Sequence, residues 1–182
     1  MLVETITLSN GCTMRPYTAE LVPSYHAWFQ DHPELLEATA TEPLSLEEEY
    51  QNQLSWTEDP EKVTFILFSP EGDMVGDVNC FVDEILDDDC SADQAQPQIN
   101  LSGEINIMIA NPEYRRRGYA QAAVKALMTF VAEKFPGLRV FIAKIGESNI
   151  PSQQLFERMG YAEIRRVSVF QEVHFEMKVV RG

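Results

Sequence analysis

Residues Glu104–Phe135, EINIMIANPEYRRRGYAQAAVKALMTFVAEKF, decide how the rest of the chain is read. Ile105, Ile107 and Ile109 alternate with Asn106 and Met108, the period of a strand. Asn111-Pro112 ends it, because the residue before a proline is restricted and proline cannot donate to a ladder. After Gly118, Ala120, Ala123, Val124, Leu127, Val131 and Phe135 fall on one helical face. Arg115, Arg116, Arg117 and Gly118 therefore stand where a strand hands over to a helix N-terminus. Unpaired N–H groups and the positive end of the helix dipole meet there, which predicts an anion seat. Gly118 permits close approach of a ligand to the backbone, and the small Ala120 leaves that approach clear. A pyrophosphate is the expected anion. Neither Gly-x-Gly-x-x-Gly nor Gly-x4-Gly-Lys-Ser/Thr occurs, so a Rossmann fingerprint and a P-loop are absent.

The whole chain narrows the function classes. Its 182 residues suit one domain with a sizeable core, and 45% hydrophobic content is ordinary for a globular protein. The formal net charge of −15 opposes non-specific attraction to a polyanion, so no nucleic-acid partner is expected. A basic island in so acidic a protein fits a small polyphosphate better. No apolar run approaches the roughly 20 residues that span a bilayer, and Met1–Thr5 shows no secretory signature, so a cytoplasmic or nuclear protein is expected. Cys12, Cys80 and Cys90 are scattered and read as reduced thiols. His26, His32 and His174 do not cluster with them, and no metal site is expected.

Ile6–Leu8 reads as a short strand, and Thr18 as the cap of a helix carrying Leu21, Tyr25, Trp28 and Phe29. Ser45-Leu46-Glu47-Glu48 is a capping box opening a helix that ends before Asp59-Pro60. Val63–Phe68 and Met74–Val82 are strands joined by a Pro70–Asp73 turn. Residues 83–100 are dense in carboxylates and read as an acidic loop inserted between strands. A strand at Leu101–Ala110, a helix at Gly118–Lys134 and a strand at Val140–Ile145 make a parallel crossover. Pro151 suits the first turn of a further helix stopping at Gly160. From Val167 to Val179 alternate residues are mostly apolar, giving one or two strands.

Arg115, Gly118 and Ala120 match Arg/Gln-x-x-Gly-x-Gly/Ala, and the segment resembles motif A of the GNAT acetyltransferases. Asn149-Ile150-Pro151-Ser152 with Leu155-Phe156 and Gly160-Tyr161 resembles that family's second cofactor motif. Arg15-Pro16-Tyr17 and Val75–Asn79 extend the resemblance over nearly the whole chain. Glu42-Pro43-Leu44, Ala143–Gly146 and Phe170–Val173 make it most similar to the N-acetyltransferase 9-like branch. A last hairpin near Gln171-Glu172 rests on this resemblance alone.

The resemblance implies a single α/β domain over residues 1–182, a GNAT-like mixed central sheet flanked by helices, with the acidic insertion at about 83–100. It implies transfer of acetyl from acetyl-CoA to an amine, with a protein or peptide amine as acceptor. The alternatives are a small cationic amine, or a weakly active acetyl-CoA-binding interaction module. Met108, Ile109 and Ala110 would meet the pantetheine and acetyl carbonyl. Backbone N–H groups of Arg116, Arg117, Gly118, Tyr119, Ala120 and Gln121 would meet the pyrophosphate, with Arg115 and the other arginines adding charge-assisted bonds. Asn149 would contact the pantetheine arm or, equally, form an Asx turn.

An amine attacks only as the neutral base. Near pH 7.4 roughly a quarter of α-amines, but about one lysine in a thousand, are neutral. Glu104 is the candidate base, directly or through a water, against a solvent-facing strand-end carboxylate. Asp77, Asn79 and Glu42 are lesser candidates for orienting the amine. Phe156 stands where the family often has a tyrosine that protonates the departing thiolate. Tyr161 or Tyr119 would have to serve instead, or the thiolate leaves unaided.

Overall fold

The computed structural model describes residues 5–39, 42–85 and 100–180. Eight strands form a mixed sheet flanked by helices: β1 Ile6–Thr7, β2 Thr13–Pro16, β3 Lys62–Phe68, β4 Met74–Glu84, β5 Leu101–Ile109, β6 Leu138–Gly146, β7 Ala162–Val167 and β8 Glu172–Lys178. Their order is β1-β2-β3-β4-β5-β6-β8-β7. The helices are α1 Val22–Asp31, α2 Glu34–Ala38, α3 Leu46–Glu58, α4 Tyr119–Lys134 and α5 Ile150–Arg158. The chain divides into two compact units, residues 1–80 with 106–127, and 81–105 with 128–182.

In the first unit, β1 and β2 pair antiparallel around a turn in which Gly11 has φ +83°, a conformation that costs glycine nothing. β2 pairs antiparallel with β3, Thr13 opposite Phe68 and Pro16 opposite Phe65. Tyr25 makes tilted aromatic contacts with Tyr17, Trp28 and Phe29, its ring centroid 4.9, 5.3 and 5.6 Å from theirs. Met108 and Ala110 pack into the same core. Thr18 precedes a 3-10 turn, Ala19–Leu21, without a side-chain cap bond, so α1 starts later than the Thr18 reading expects. The Ser45 capping box is complete: its Oγ accepts from Glu48 N–H at 3.3 Å, and its own N–H donates to Glu48 Oε2 at 2.8 Å. The Ser45 hydroxyl, donating to Glu48 Oε2 at 2.7 Å, and the Ser45 N–H hold the Glu48 carboxyl below its usual range. Ser45→Ala is expected to cost about 1 kcal/mol, measured by denaturant unfolding.

In the second unit, β5 and β6 run parallel, Leu101 opposite Leu138 and Glu104 opposite Ile142. β8 pairs antiparallel with β6 on one side and β7 on the other. β7 is an edge strand with a register shift between Glu163 and Arg165, and its charged, exposed residues blunt that edge.

Three expectations change. The C-terminal alternation does not run unbroken: Phe170 N–H donates to Val167 O and Gln171 N–H to Ser168 O, closing a turn. Val169 is 82% exposed there. β4 continues through Glu84, so the acidic segment starts later than 83, and its residues 86–99 lie outside the described residues. β2 is a strand that composition did not announce.

Candidate active site

The strand end and the loop after it are held by the first unit. Gly76 on β4 lies so close to β5 that a Cβ there would sit 2.0 Å from Met108 O. Ala110 N–H donates to Val75 O at 3.0 Å, fixing the last residue of the run Met108, Ile109 and Ala110. Arg115 turns its guanidinium back onto that run, donating to Ile109 O at 3.0 Å and Ala110 O at 3.3 Å. It braces the strand end, a task that a surface-charge reading misses. Arg117 lies over the Tyr114 ring at 5.1 Å, and Tyr114 donates to Asp73 Oδ2 at 2.7 Å. Arg116 and Gly118 both take left-handed backbone, φ +62° and +79°.

Ala122 N–H donates to Gly118 O, closing the first turn of α4. The N–H groups of Tyr119, Ala120 and Gln121 precede it and have no carbonyl four residues back within the helix. A Cβ on Gly118 would meet nothing within 4 Å. Free donors, three exposed arginines and open space in front of them fit a phosphate ester of acetyl-CoA.

Glu104 and Asn149 belong to the second unit. Glu104 pairs with Lys144 across β5 and β6, the two side chains 25% and 40% exposed. Asn149 is the N-cap of α5, accepting from Ser152 N–H at 3.3 Å. Phe156 is buried with its ring edge-on to Tyr161, centroids 4.9 Å apart. Tyr161 is buried too, its hydroxyl donating to Met128 Sδ at 3.3 Å. Tyr119, in the first unit, is buried near the Cys12 thiol. Both alternative phenols are thus buried within the protein.

The first unit also buries a polar cluster that sequence reasoning ranked low. Asp77 and Asn79 on β4 are 3% and 5% exposed, and Asn79 Nδ2 donates to Asp77 Oδ2 at 2.6 Å. Tyr25 faces Asp77, and Tyr17 donates to Glu49 Oε1 at 3.5 Å. Burial pushes the Asp77 carboxyl up to about 7, against the lowering pull of Asn79, with the Glu49 charge adding to the rise. Burial likewise raises Glu49. Glu42 lines a recess with His26, Phe29, Leu36 and Glu49. Among the described residues no helix is long and apolar enough to cross a membrane, and no group of three or more His, Cys, Asp or Glu is placed to hold a metal.

Residues 12–162 match the model of the acetyltransferase (GNAT) domain. The human alpha/beta-tubulin-N-acetyltransferase 9 is 38% identical over 96% of this chain and 84% of its own length. The fold is similar to that of RimL, the ribosomal L7/L12 alpha-N-protein acetyltransferase (TM-score 0.77, 17% identity, 97% and 95% of the two chains). It is also similar to the spermidine N-acetyltransferase of Vibrio cholerae (TM-score 0.74, 16% identity, 92% and 95%). With a family match across most of its length, the chain belongs to the GNAT acetyltransferases, enzymes that move acetyl from acetyl-CoA to an amine.

Proposed function

We propose that this enzyme acetylates a protein or peptide α-amine, and that Arg115–Gln121 hold the pyrophosphate of its donor. The observation carrying the donor site is the open space at Gly118, in front of N–H groups without helical partners. The donor supplies an acetyl thioester; the chain's own part is to seat the phosphates and to hold the strand end Met108–Ala110 straight. Arg116 and Arg117 add charge at the seat, and Arg115 secures the strand end. Asn149 is proposed to contact the pantetheine arm through the part of its amide not used in capping. The family match over residues 12–162 supports reading residues 1–182 as one acetyltransferase domain with an insertion at about 83–100. Among the described residues Cys12 and Cys80 are buried thiols outside any disulfide, which suits a cytoplasmic or nuclear protein.

A protein acceptor is supported by the tubulin named for the human relative. A small cationic amine is the second reading, favoured by the net charge of −15 and by the likeness to a spermidine acetyltransferase fold. Thiol release with acetyl-CoA and, in turn, tubulin, a free α-amine peptide and spermidine separates the two.

Acetyl-CoA at ~100-fold excess over its dissociation constant is expected to stabilise the protein by about 2.7 kcal/mol in a thermal shift. Gly118→Glu puts a carboxylate into the open space and strains a left-handed position, so the shift should vanish while the apo protein still melts cooperatively. A full shift in the variant would rule out this loop as the seat.

A further inference from the structure

The buried groups on β4 carry a second assignment. Asp77 and Asn79 are two residues apart, so their side chains share one face of the strand. Their mutual bond uses Asn79 Nδ2 and Asp77 Oδ2, and Asp77 Oδ1 and Asn79 Oδ1 are buried without any hydrogen-bond partner. Buried acceptors are seldom left unmet, and two side by side ask for a donor. The two unmet atoms are both acceptors, one N–H of Asn79 being spent on Asp77. An ammonium, with three donors and no acceptor, is their complement.

Their surroundings place this pair beside the acetyl end of the site. Gly76, the residue before Asp77, lies against the Met108 carbonyl. Met108 and Ala110 pack in one core with Tyr17 and Tyr25, and Tyr25 faces Asp77. Glu49 acts on Asp77 from α3 and also lines the recess whose rim carries the exposed Glu42. The titratable groups facing Asp77 are thus Tyr25 from α1, Glu49 from α3 and Tyr17 from the end of β2; His26 faces Glu49 in turn.

We propose that Asp77 and Asn79 dock the acceptor amine and that Asp77 is the catalytic residue receiving its proton. The assignment rests on the acetyl-transfer reading above. The docked ammonium gives one proton to the Asp77 carboxylate, and its freed lone pair attacks the acetyl carbonyl carbon. The C–N bond forms, the C–S bond breaks, and the electron pair leaves on sulfur. The nitrogen's remaining surplus proton balances that thiolate, which departs as thiol, and Asp77 returns its proton to solvent. A carboxyl that burial holds near 7 is matched to an α-amine at ~7.7–8.0 and poorly matched to a lysine at ~10.4.

The test uses Asp77→Asn and Glu104→Gln with a short free α-amine peptide and its Nα-acetylated twin. Asp77→Asn is expected to lower kcat about 10²–10⁴-fold. It should also move the acid limb of kcat/KM from near 7 to the amine's own ~7.7–8.0. Calorimetry on CoA-saturated protein should show the free-amine peptide binding about tenfold more weakly to the variant, with CoA affinity unchanged. The acetylated twin should not distinguish the two proteins. Asp77→Asn within twofold of wild type, with Glu104→Gln carrying the loss, would overturn the assignment. So would a wild-type acid limb at the amine's own pKa, a result that needs no variant to fold. Wild-type protein that acetylates no amine at all would sink the acetyl-transfer reading itself, a distinct outcome.

Discussion

Gly76→Ala is expected to lose most of the protein's stability, about 4 kcal/mol or more, the extreme of the single-substitution range. The added Cβ would lie 2.0 Å from Met108 O and 3.1 Å from both Met108 C and Ile109 Cα. All three are backbone atoms, so no side-chain rotation relieves the contact. The end of β5 would have to move by about an ångström, against packing that is dense and nearly incompressible. That movement breaks the Ala110 N–H to Val75 O bond and disturbs Ala110, which is fully buried. Gly72→Ala is the control. A Cβ there meets nothing within 4 Å, but φ is +97°, so only backbone strain of roughly 1–2 kcal/mol is expected. Urea unfolding of the two variants separates crowding from strain. Equal losses would refute the close approach of the two strands.

What was legible in the chain follows from how local each signal is. The alternation Ile105–Ile109, the face of α4 and the Ser45–Glu48 box each lie within one element, and each appears as read. β2 was missed because it is only four residues long and ends in Pro16, paired at its margin with Phe65. β7 was missed for a different reason. It is an exposed edge carrying Glu163, Arg165 and Arg166, so it buries no apolar face from which a period could be read. The turn before β8 has no glycine signal, since the left-handed position, φ +53°, is filled by Gln171. The polar cluster was the least legible. Asp77 reads as one polar residue in an apolar strand, and its burial depends on Tyr25 and Glu49, far away in sequence. Glu104 was the more conspicuous carboxylate, and its ion pair with Lys144 arises only from the register of β5 against β6.

The same burial predicts that stability falls as pH rises from about 4 to 7. An unfolded aspartate titrates near ~3.9, whereas Asp77 in the folded protein is pushed up to about 7. Between those values the folded state keeps a proton that the unfolded chain has released, so folding weakens with every step up in pH. The sign is opposite to that of an ion-paired carboxylate. Three units at ~1.4 kcal/mol each set the scale at about 4 kcal/mol, lost as pH rises through 7. Glu49, raised by its own burial, acts in the same direction. The repulsion within a protein of net charge −15 also grows with pH, so wild type alone does not isolate the effect. Asp77→Asn does, because it keeps the shape and the Asn79 bond while removing the titration. The variant should be clearly more stable than wild type at pH 8, and the gap should close toward pH 4.5. Denaturant unfolding of both proteins at the two pH values reads this directly. A gap of the same size at both would mean that Asp77 stays ionised in the folded protein throughout, paired by something other than the neighbours described.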